Sequence, residues 1–197
     1  MGPFLLAGCV FLALSAAVIA QQAAPPLDNP NKVLVIFHSR GGATKLMAGK
    51  IAQWFSAPLL EIQTKDYPES VSGWWAANQD TWNEKPSSIS PETVDLSAYK
   101  LIFLGSPIWW YRPSPPLWTF VAKNEFHGAK VALFNTFNTE FNQEEIGRFA
   151  RLVESRGGVF AGHIWVRRGR QFWQIGDKQL LEQTGALLKE RFPEFGK

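Results

Sequence analysis

A short loop near the start of the chain combines residue types that bind anions. It directly follows the apolar run 33–37 and reads Ser39, Arg40, Gly41, Gly42, Ala43, Thr44. Glycine lets backbone N–H groups approach a ligand, and a helix that begins at about Thr44 would turn its unpaired N–H groups and positive dipole end toward the loop. Because the loop lacks the spacing of nucleoside triphosphate and dinucleotide sites, it favours a phosphate monoester. A glycine turn that binds nothing is the alternative interpretation.

Two more loops with binding character follow apolar runs further along the chain. The run 131–134 leads into residues 135–139, and the run 101–104 leads into an aromatic loop of Pro107, Ile108, Trp109, Trp110 and Tyr111. The carboxyl ends of parallel strands lie at one edge of a sheet, where α/β proteins bind their ligands. An anion loop and an aromatic loop at that edge would together hold a flat ring with a phosphate tail.

Five apolar runs alternate with helical patterns over residues 33–197. These runs cover residues 33–37, 59–62, 101–104, 131–134 and 159–162. Continuous apolar runs are typical of strands that are buried on both faces. We therefore predict an α/β fold with a doubly wound, five-stranded parallel sheet and helices on both of its faces. Alternation around Arg168 and Gly169 predicts a hairpin extension over residues 163–174.

Local signals describe two of the intervening helices. Asn142 and Glu145 have the spacing of a capping box, in which Asn142 caps the helix and Glu145 reaches back to it. In an earlier helix, one face could carry several large side chains, which we interpret as packing residues: Val71, Trp74, Trp75, Asn78 and Trp82.

Composition excludes several classes of function. The 197 residues suffice for one domain, and the net charge of +3 comes without a dense Lys/Arg run, so nucleic-acid binding is not expected. The only cysteine is Cys9, which leaves the domain without a disulfide or a cysteine nucleophile. The three histidines are scattered, and the sequence predicts no metal site and no catalytic residue.

The N-terminal segment has the composition of a targeting or membrane sequence. Residues 4–20 are apolar or small and uncharged, and residues 26–31 have linker character. We predict a signal peptide or membrane anchor over residues 1–25, a linker over 26–31 and a domain over 32–197. The protein is then membrane-associated or exported to a periplasm, with both alternatives open.

Two segments resemble the flavodoxin-like family. The anion loop is similar to the family's Ser-Arg-Thr-Gly-Asn-Thr phosphate loop, and residues 95–110 end in a Gly-x-Pro-Ile-Trp-Trp pattern after a buried strand. The resemblance implies the strand order 2-1-3-4-5 and FMN as the cofactor. It implies that Ser39 and residues 41–44 hold the phosphate and that Arg40 in the same loop also binds the cofactor. It also implies that residues 107–110 line the ring with one tryptophan stacked on it, and that the opposing loop contributes Thr136 and Phe137.

Three positions depart from the family pattern. Gly41 and Ala43 stand where Thr and Asn are more frequent, so two side-chain hydrogen bonds to the cofactor are missing. Each missing bond should cost about 1 kcal/mol of binding free energy. Tyr111 stands where relatives often carry glycine, which predicts weak stabilisation of a one-electron-reduced flavin.

The resemblance implies an FMN-binding redox protein in which the flavin performs the chemistry. It would be an electron carrier or a small oxidoreductase linked to NAD(P)H or quinone, with a redox protein as a further kind of partner. The alternative is a membrane-tethered flavodoxin-fold interaction module with weak or no flavin binding. Two minor hypotheses stay open: His38 as a turn residue or a proton donor, and Arg167, Arg168 and Arg170 as solvated surface or as a site for cofactor phosphate or lipid headgroups.

Overall fold

Residues 32–170 and 172–193 are described by a computed structural model of the chain. The strands are β1 (Val33–Phe37), β2 (Leu59–Glu61), β3 (Leu101–Trp109), β4 (Arg112–Pro113), β5 (Lys130–Phe137) and β6 (Val159–Arg167). The helices are α1 (Ala43–Phe55), α2 (Val71–Trp82), α3 (Pro115–Lys123), α4 (Gln143–Ser155) and α5 (Asp177–Arg191).

The sheet is parallel in the order β2-β1-β3-β5-β6, and the two-residue strand β4 pairs antiparallel with β3. When β4 is set aside and the other strands are renumbered in chain order, these five parallel strands have the order 2-1-3-4-5, which confirms the predicted fold class. β1 lies inside the sheet between β2 and β3, and all five of its residues are buried. A strand with helices on both sides has no polar face, which explains its uninterrupted apolar sequence.

Two layers of helices cover the sheet. Leu34 and Ile36 of β1 belong to the core that contains α3 and α4, whereas Val33, Val35 and Phe37 belong to the core that contains α1 and α5. This alternation follows from the two-residue period of a strand. Helices α1 and α5 therefore pack side by side on one face, with their N-termini near the same edge of the sheet.

Three sequence predictions about elements need correction. β3 extends to Trp109, because residues 105–107 continue the ladder with residues 134–136 of β5. β6 extends to Arg167 by pairing with β5, and the described residues 168–170 and 172–175 lie outside strands and helices instead of in the predicted hairpin extension. Asn142 does cap α4, by accepting a hydrogen bond from the Glu144 N–H, but Glu145 binds Arg112 and Arg148 instead of reaching back.

The tryptophans of α2 are exposed, so their interpretation as packing residues was wrong. Trp74, Trp75 and Trp82 are 50%, 64% and 67% exposed. The buried face carries the small residues Gly73, Ala77 and Thr81 instead. Gly73 lies so close to the backbone of Pro68 that a Cβ would clash with it, which requires small side chains on this face.

The predicted N-terminal segment and linker, residues 1–31, lie outside the described residues. Among the residues that are described, we find no helix with the length and apolar character needed to cross a membrane.

Candidate cofactor-binding site

A cavity of about 540 Å³ opens at the carboxyl ends of β1, β3 and β5. We call it the switch-point cavity, because β1 and β3 are neighbours from which the chain winds in opposite directions. Its lining includes these predicted site residues: Ser39, Arg40, Gly41, Ala43, Thr44, Pro107, Ile108, Trp109, Trp110, Thr136 and Phe137. Gly42 belongs to the same loop but does not itself line the cavity. The three loops that the sequence analysis singled out therefore meet at one place.

The anion loop leaves backbone donors free at the start of α1. Gly42 is the N-cap residue and has a φ of 82°, a conformation that favours glycine. The Ser39 hydroxyl accepts a hydrogen bond from the Lys45 N–H at 3.3 Å. Among the described residues, the N–H groups of Ala43 and Thr44 find no acceptor, and the first turn of α1 carries no acidic residue. This helix end can therefore receive an anion.

Two side chains of the loop fix its position. The Thr44 and Thr136 hydroxyls are 2.8 Å apart and join the start of α1 to the end of β5. The Arg40 guanidinium donates to the backbone oxygens of Tyr67, Pro68 and Ser70 at 3.3, 2.8 and 3.0 Å. Arg40 therefore ties the anion loop to the turn before α2, although it was predicted as a direct cofactor ligand.

The aromatic loop comprises the last three residues of β3, 107–109, and a tight hairpin turn between β3 and β4. Trp110 and Tyr111 are its two central residues, with φ values of 44° and 69°. Two positive φ values define a type I′ turn, which usually contains Asn-Gly, so a Trp-Tyr pair holds strained backbone. The Tyr111 carbonyl accepts a hydrogen bond from the Asn142 N–H at 2.8 Å, which anchors the turn to α4.

The aromatic side chains around the cavity differ in how much of their surface is exposed. Trp109 packs edge-on against His38 and Tyr67, whereas Trp110 is 48% exposed and contacts Trp82. Phe137 is only 6% exposed, because it packs against neighbouring aromatic rings. Little of its surface is open to a stacking ligand.

The two histidines near the site are held in the neutral state. Burial lowers the pKa of His163 to about 4, and its Nε2 lies 2.9 Å from the Asn135 side-chain oxygen. Burial also lowers the pKa of His38, whose Nδ1 lies 3.1 Å from the Ile62 carbonyl oxygen. Since a carbonyl only accepts, Nδ1 carries the His38 proton. His38 lines a separate cavity, so the geometry does not support a proton-donor role at the switch-point cavity.

Sequence reasoning missed part of the lining. Helix α2 contributes Trp74, Ala77 and Asn78, and other segments add Glu140, Arg168, Arg170 and Gln174, whereas the lining residues Tyr111, Asn138 and Thr139 belong to loops that the sequence had already indicated. The four-residue spacing of Trp74 and Asn78 placed them on one helix face, but nothing local indicated that this face reaches the sheet edge. Arg168 and Arg170 had been considered from the sequence as solvated surface or as a site for cofactor phosphate or lipid headgroups, but the sequence did not place them at this cavity.

The strand order and the cavity at its switch point define a flavodoxin-like α/β protein. The family model described as Flavodoxin matches residues 32–145, and the chain belongs to this family.

Individual relatives agree with this assignment. The chain is 30% identical to Flavodoxin 1 of Escherichia coli (strain K12) over 86 residues, which cover 40% of this chain and 48% of that protein. The chain thus spans about half the length of the curated relatives that it matches.

Solved structures share the fold. A flavoprotein in complex with FMN from Lactobacillus acidophilus NCFM matches with a TM-score of 0.59 and 23% identity, over 68% of this chain and 93% of that one. A candidate flavoprotein from Bacteroides uniformis ATCC 8492 matches with a TM-score of 0.63 and 19% identity, over 77% of this chain and 96% of that one.

Proposed function

We propose that the chain binds FMN in the switch-point cavity and acts as a redox protein. The observation that carries this proposal is the cavity itself, which joins free backbone donors at the start of α1 to an aromatic wall at the end of β3. FMN has the matching parts, a phosphate monoester at one end and a flat ring at the other. Flavin-protein relatives support the same ligand.

The residues of the chain would bind and orient the cofactor, and bound FMN would supply the electron-transfer chemistry. The Ser39 and Thr44 hydroxyls and the N–H groups of the anion loop suit the phosphate. Residues 107–110 suit the ring, because an apolar and aromatic wall excludes water from it. No acid, base or nucleophile of the chain is required.

For the reaction, we propose a small oxidoreductase that passes electrons from NAD(P)H to a quinone. Trp74, Trp110 and Tyr111 line the cavity and are 50%, 48% and 46% exposed. Exposed aromatic side chains at a cavity suit a planar, apolar acceptor. The apolar segment 4–20 supports a location at or across a membrane, where such acceptors are found. Fractionation of cells into membrane, periplasm and cytoplasm tests this location.

Purification of the full chain tests the central proposal. A yellow protein that carries FMN, or a colourless one that takes up added FMN, is the expected result. A folded protein that binds no added FMN would contradict the proposed FMN binding and favour the flavodoxin-fold interaction module. The missing side chains at Gly41 and Ala43 support that alternative. If the FMN-loaded protein oxidises neither NADH nor NADPH in the presence of a quinone, the electron-carrier role is favoured instead.

A further inference from the structure

The loop between β6 and α5, residues 168–175, carries two arginines to the switch-point cavity. Arg168, Arg170 and Gln174 all line this cavity. The Arg168 N–H donates to the Phe137 carbonyl at 2.7 Å, which places the loop beside the end of β5. Phe137 directly follows Thr136, whose hydroxyl is bonded to Thr44 at the start of α1. The loop therefore lies next to the anion loop.

Hydrogen bonds constrain the described residues of this loop, 168–170 and 172–175. The Ile175 N–H donates to the Arg168 carbonyl at 2.9 Å, and the Trp173 N–H donates to the Arg170 carbonyl at 2.8 Å. Gly169 has a φ of 91°, and a Cβ there would lie 2.6 Å from the Trp173 carbonyl oxygen. Both arginines therefore start from an ordered backbone.

The Arg168 side chain is anchored at one nitrogen and unpaired at another. Its Nη2 donates to Asp177 at 2.6 Å, in the first turn of α5, and the side chain is 18% exposed. Its Nη1 is buried and has no hydrogen-bond partner among the described residues. A buried, charged donor without an acceptor is rare and calls for an explanation. Because Arg168 lines the cavity, a ligand oxygen there would provide the missing acceptor after a small shift of the side chain.

The charges around this part of the cavity favour an anion. The guanidinium of Arg40 is already bonded to three carbonyl oxygens, and Asp177 is paired with Arg168. Glu140 is the carboxylate that lines the cavity, and Arg170 is exposed. The N-termini of α1 and α5 add two positive dipole ends on the same face of the sheet.

We propose that Arg168, with Arg170 beside it, binds the phosphate of FMN and replaces the side-chain hydrogen bonds that Gly41 and Ala43 cannot make. This inference rests on the proposed FMN binding. A guanidinium pairs with phosphate oxygens through parallel N–H donors, so it contributes both charge and orientation. The phosphate is then held between the anion loop and the β6–α5 loop.

Binding of FMN and of riboflavin, which lacks the phosphate, separates this role from general effects on the site. Affinities are measured by flavin fluorescence titration of the full chain, for the wild type, Arg168→Gln, Arg168→Lys, Arg170→Gln and the control Arg151→Gln. Arg151 is exposed on α4, on the opposite face of the sheet, and its substitution removes the same charge. The unfolding midpoint without flavin checks that each variant folds.

For Arg168→Gln we expect FMN affinity to fall roughly ten- to a hundred-fold, as for the loss of a hydrogen bond between charged groups, with riboflavin affinity unchanged. Arg168→Lys should lose less FMN affinity than Arg168→Gln. Arg170→Gln should also lose less, because the Arg170 side chain is exposed, and Arg151→Gln should bind FMN as the wild type does. The FMN affinity of Arg168→Gln should also depend less on salt.

The proposal is overturned if Arg168→Gln binds FMN as the wild type does, or if it loses FMN and riboflavin affinity by the same factor. A wild type that binds neither flavin would instead refute the proposed FMN binding itself, which is a distinguishable result.

Discussion

At the residue scale, Asn135 connects three neighbouring strands through its side chain. Its side-chain nitrogen donates to the Ser106 carbonyl at 2.7 Å, and its side-chain oxygen accepts from His163 at 2.9 Å. Asn135 is fully buried and lies two residues before the carboxyl end of β5, where the cavity opens. A buried amide with all of these bonds satisfied fixes the register of β3, β5 and β6 next to the site.

This network predicts a dependence of stability on pH. The pKa of His163 is about 4 in the folded protein and near 6.5 when unfolded, so between these values the unfolded chain binds the extra proton. The free energy of unfolding should therefore fall as the pH drops from 6.5 to 4, by at most about 3 kcal/mol from this group. Urea unfolding across this range should show a smaller fall for His163→Gln.

The pKa of His38 is also lowered, so His38 adds to the fall in the free energy of unfolding at low pH. This contribution is the same in the wild type and in His163→Gln, and it cancels when the two proteins are compared. Equal pH dependence in the two proteins would show that His163 ionises normally in the folded state.

The anion loop allows a prediction at two single positions. A Cβ at Gly41 would meet no atom within 4 Å, and Gly41 has no positive φ, so Gly41→Thr fits the structure. Gly41→Thr and Ala43→Asn should each strengthen FMN binding by about 1 kcal/mol, or roughly five-fold, through an added hydrogen bond to the phosphate. Fluorescence titration measures the change.

Gly42→Thr is the matched control, because its φ of 82° disfavours any side chain. It should weaken binding or stability. Improved FMN affinity in this control, or none in the other two variants, would count against phosphate binding at this loop.

At the element scale, the close packing of β3 against β5 decides how the cavity is built. Gly105 and Phe134 are register partners on these strands, and the Phe134 ring occupies the space where a Gly105 side chain would be. The absence of a Cβ at Gly105 lets Phe134 fill the core directly below the aromatic loop. Glycine in a strand often marks such a close approach.

Gly105→Ala should therefore destabilise the protein by about 1 to 3 kcal/mol through overpacking. Gly49→Ala is the matched control, since Gly49 lies inside α1 with open space around it and alanine favours a helix by about 0.5 to 1 kcal/mol. The two substitutions add the same methyl group and should shift the urea midpoint in opposite directions. A neutral Gly105→Ala would mean that Phe134 can move aside at little cost.

At the scale of the whole molecule, the surface differs from that of an acidic electron carrier. The net charge is +3, and the exposed side chains of Trp74 in α2 and Trp110 in the aromatic loop line the cavity. Complementary charge speeds the association of protein partners, and this chain has little net charge for that purpose. The surface instead offers aromatic contact area, in keeping with the small planar acceptor that we propose.

Cofactor binding should stabilise the whole fold, because the cavity is built from residues of several elements that come together only on folding. At an FMN concentration one hundred times the dissociation constant, the free energy of unfolding should rise by about 2.7 kcal/mol. For a domain of this size, that corresponds to roughly 5 to 10 °C in the melting temperature. Thermal unfolding with FMN, and with riboflavin at the same concentration, measures this shift. An unchanged midpoint with FMN would contradict binding to the folded state.

The sequence by itself determined most of the elements and all three loops of the switch-point cavity that it singled out, residues 39–44, 107–111 and 135–139. Strands such as β1 are continuous apolar runs, and the anion loop carries its chemistry in adjacent residues, so short-range patterns were sufficient to locate them. The same patterns failed for the tryptophans of α2 and for residues 163–174. Helical spacing identifies a face but not which neighbour covers it, and alternation does not distinguish a hairpin from a long strand beside a partner.

Only the tertiary structure decided which side chains meet at the cavity. Arg40 was predicted to bind the cofactor and instead holds the turn before α2, whereas Arg168 lies more than a hundred residues from the anion loop and reaches its side of the cavity. The physical reason is that hydrophobic periodicity is a local property, whereas the neighbours of a polar side chain depend on the packing of helices and strands that are distant in sequence. The anion loop could be located from its own residues, and Arg168 could be named as a candidate for cofactor phosphate, but only the folded chain places Arg168 at the same cavity as the anion loop.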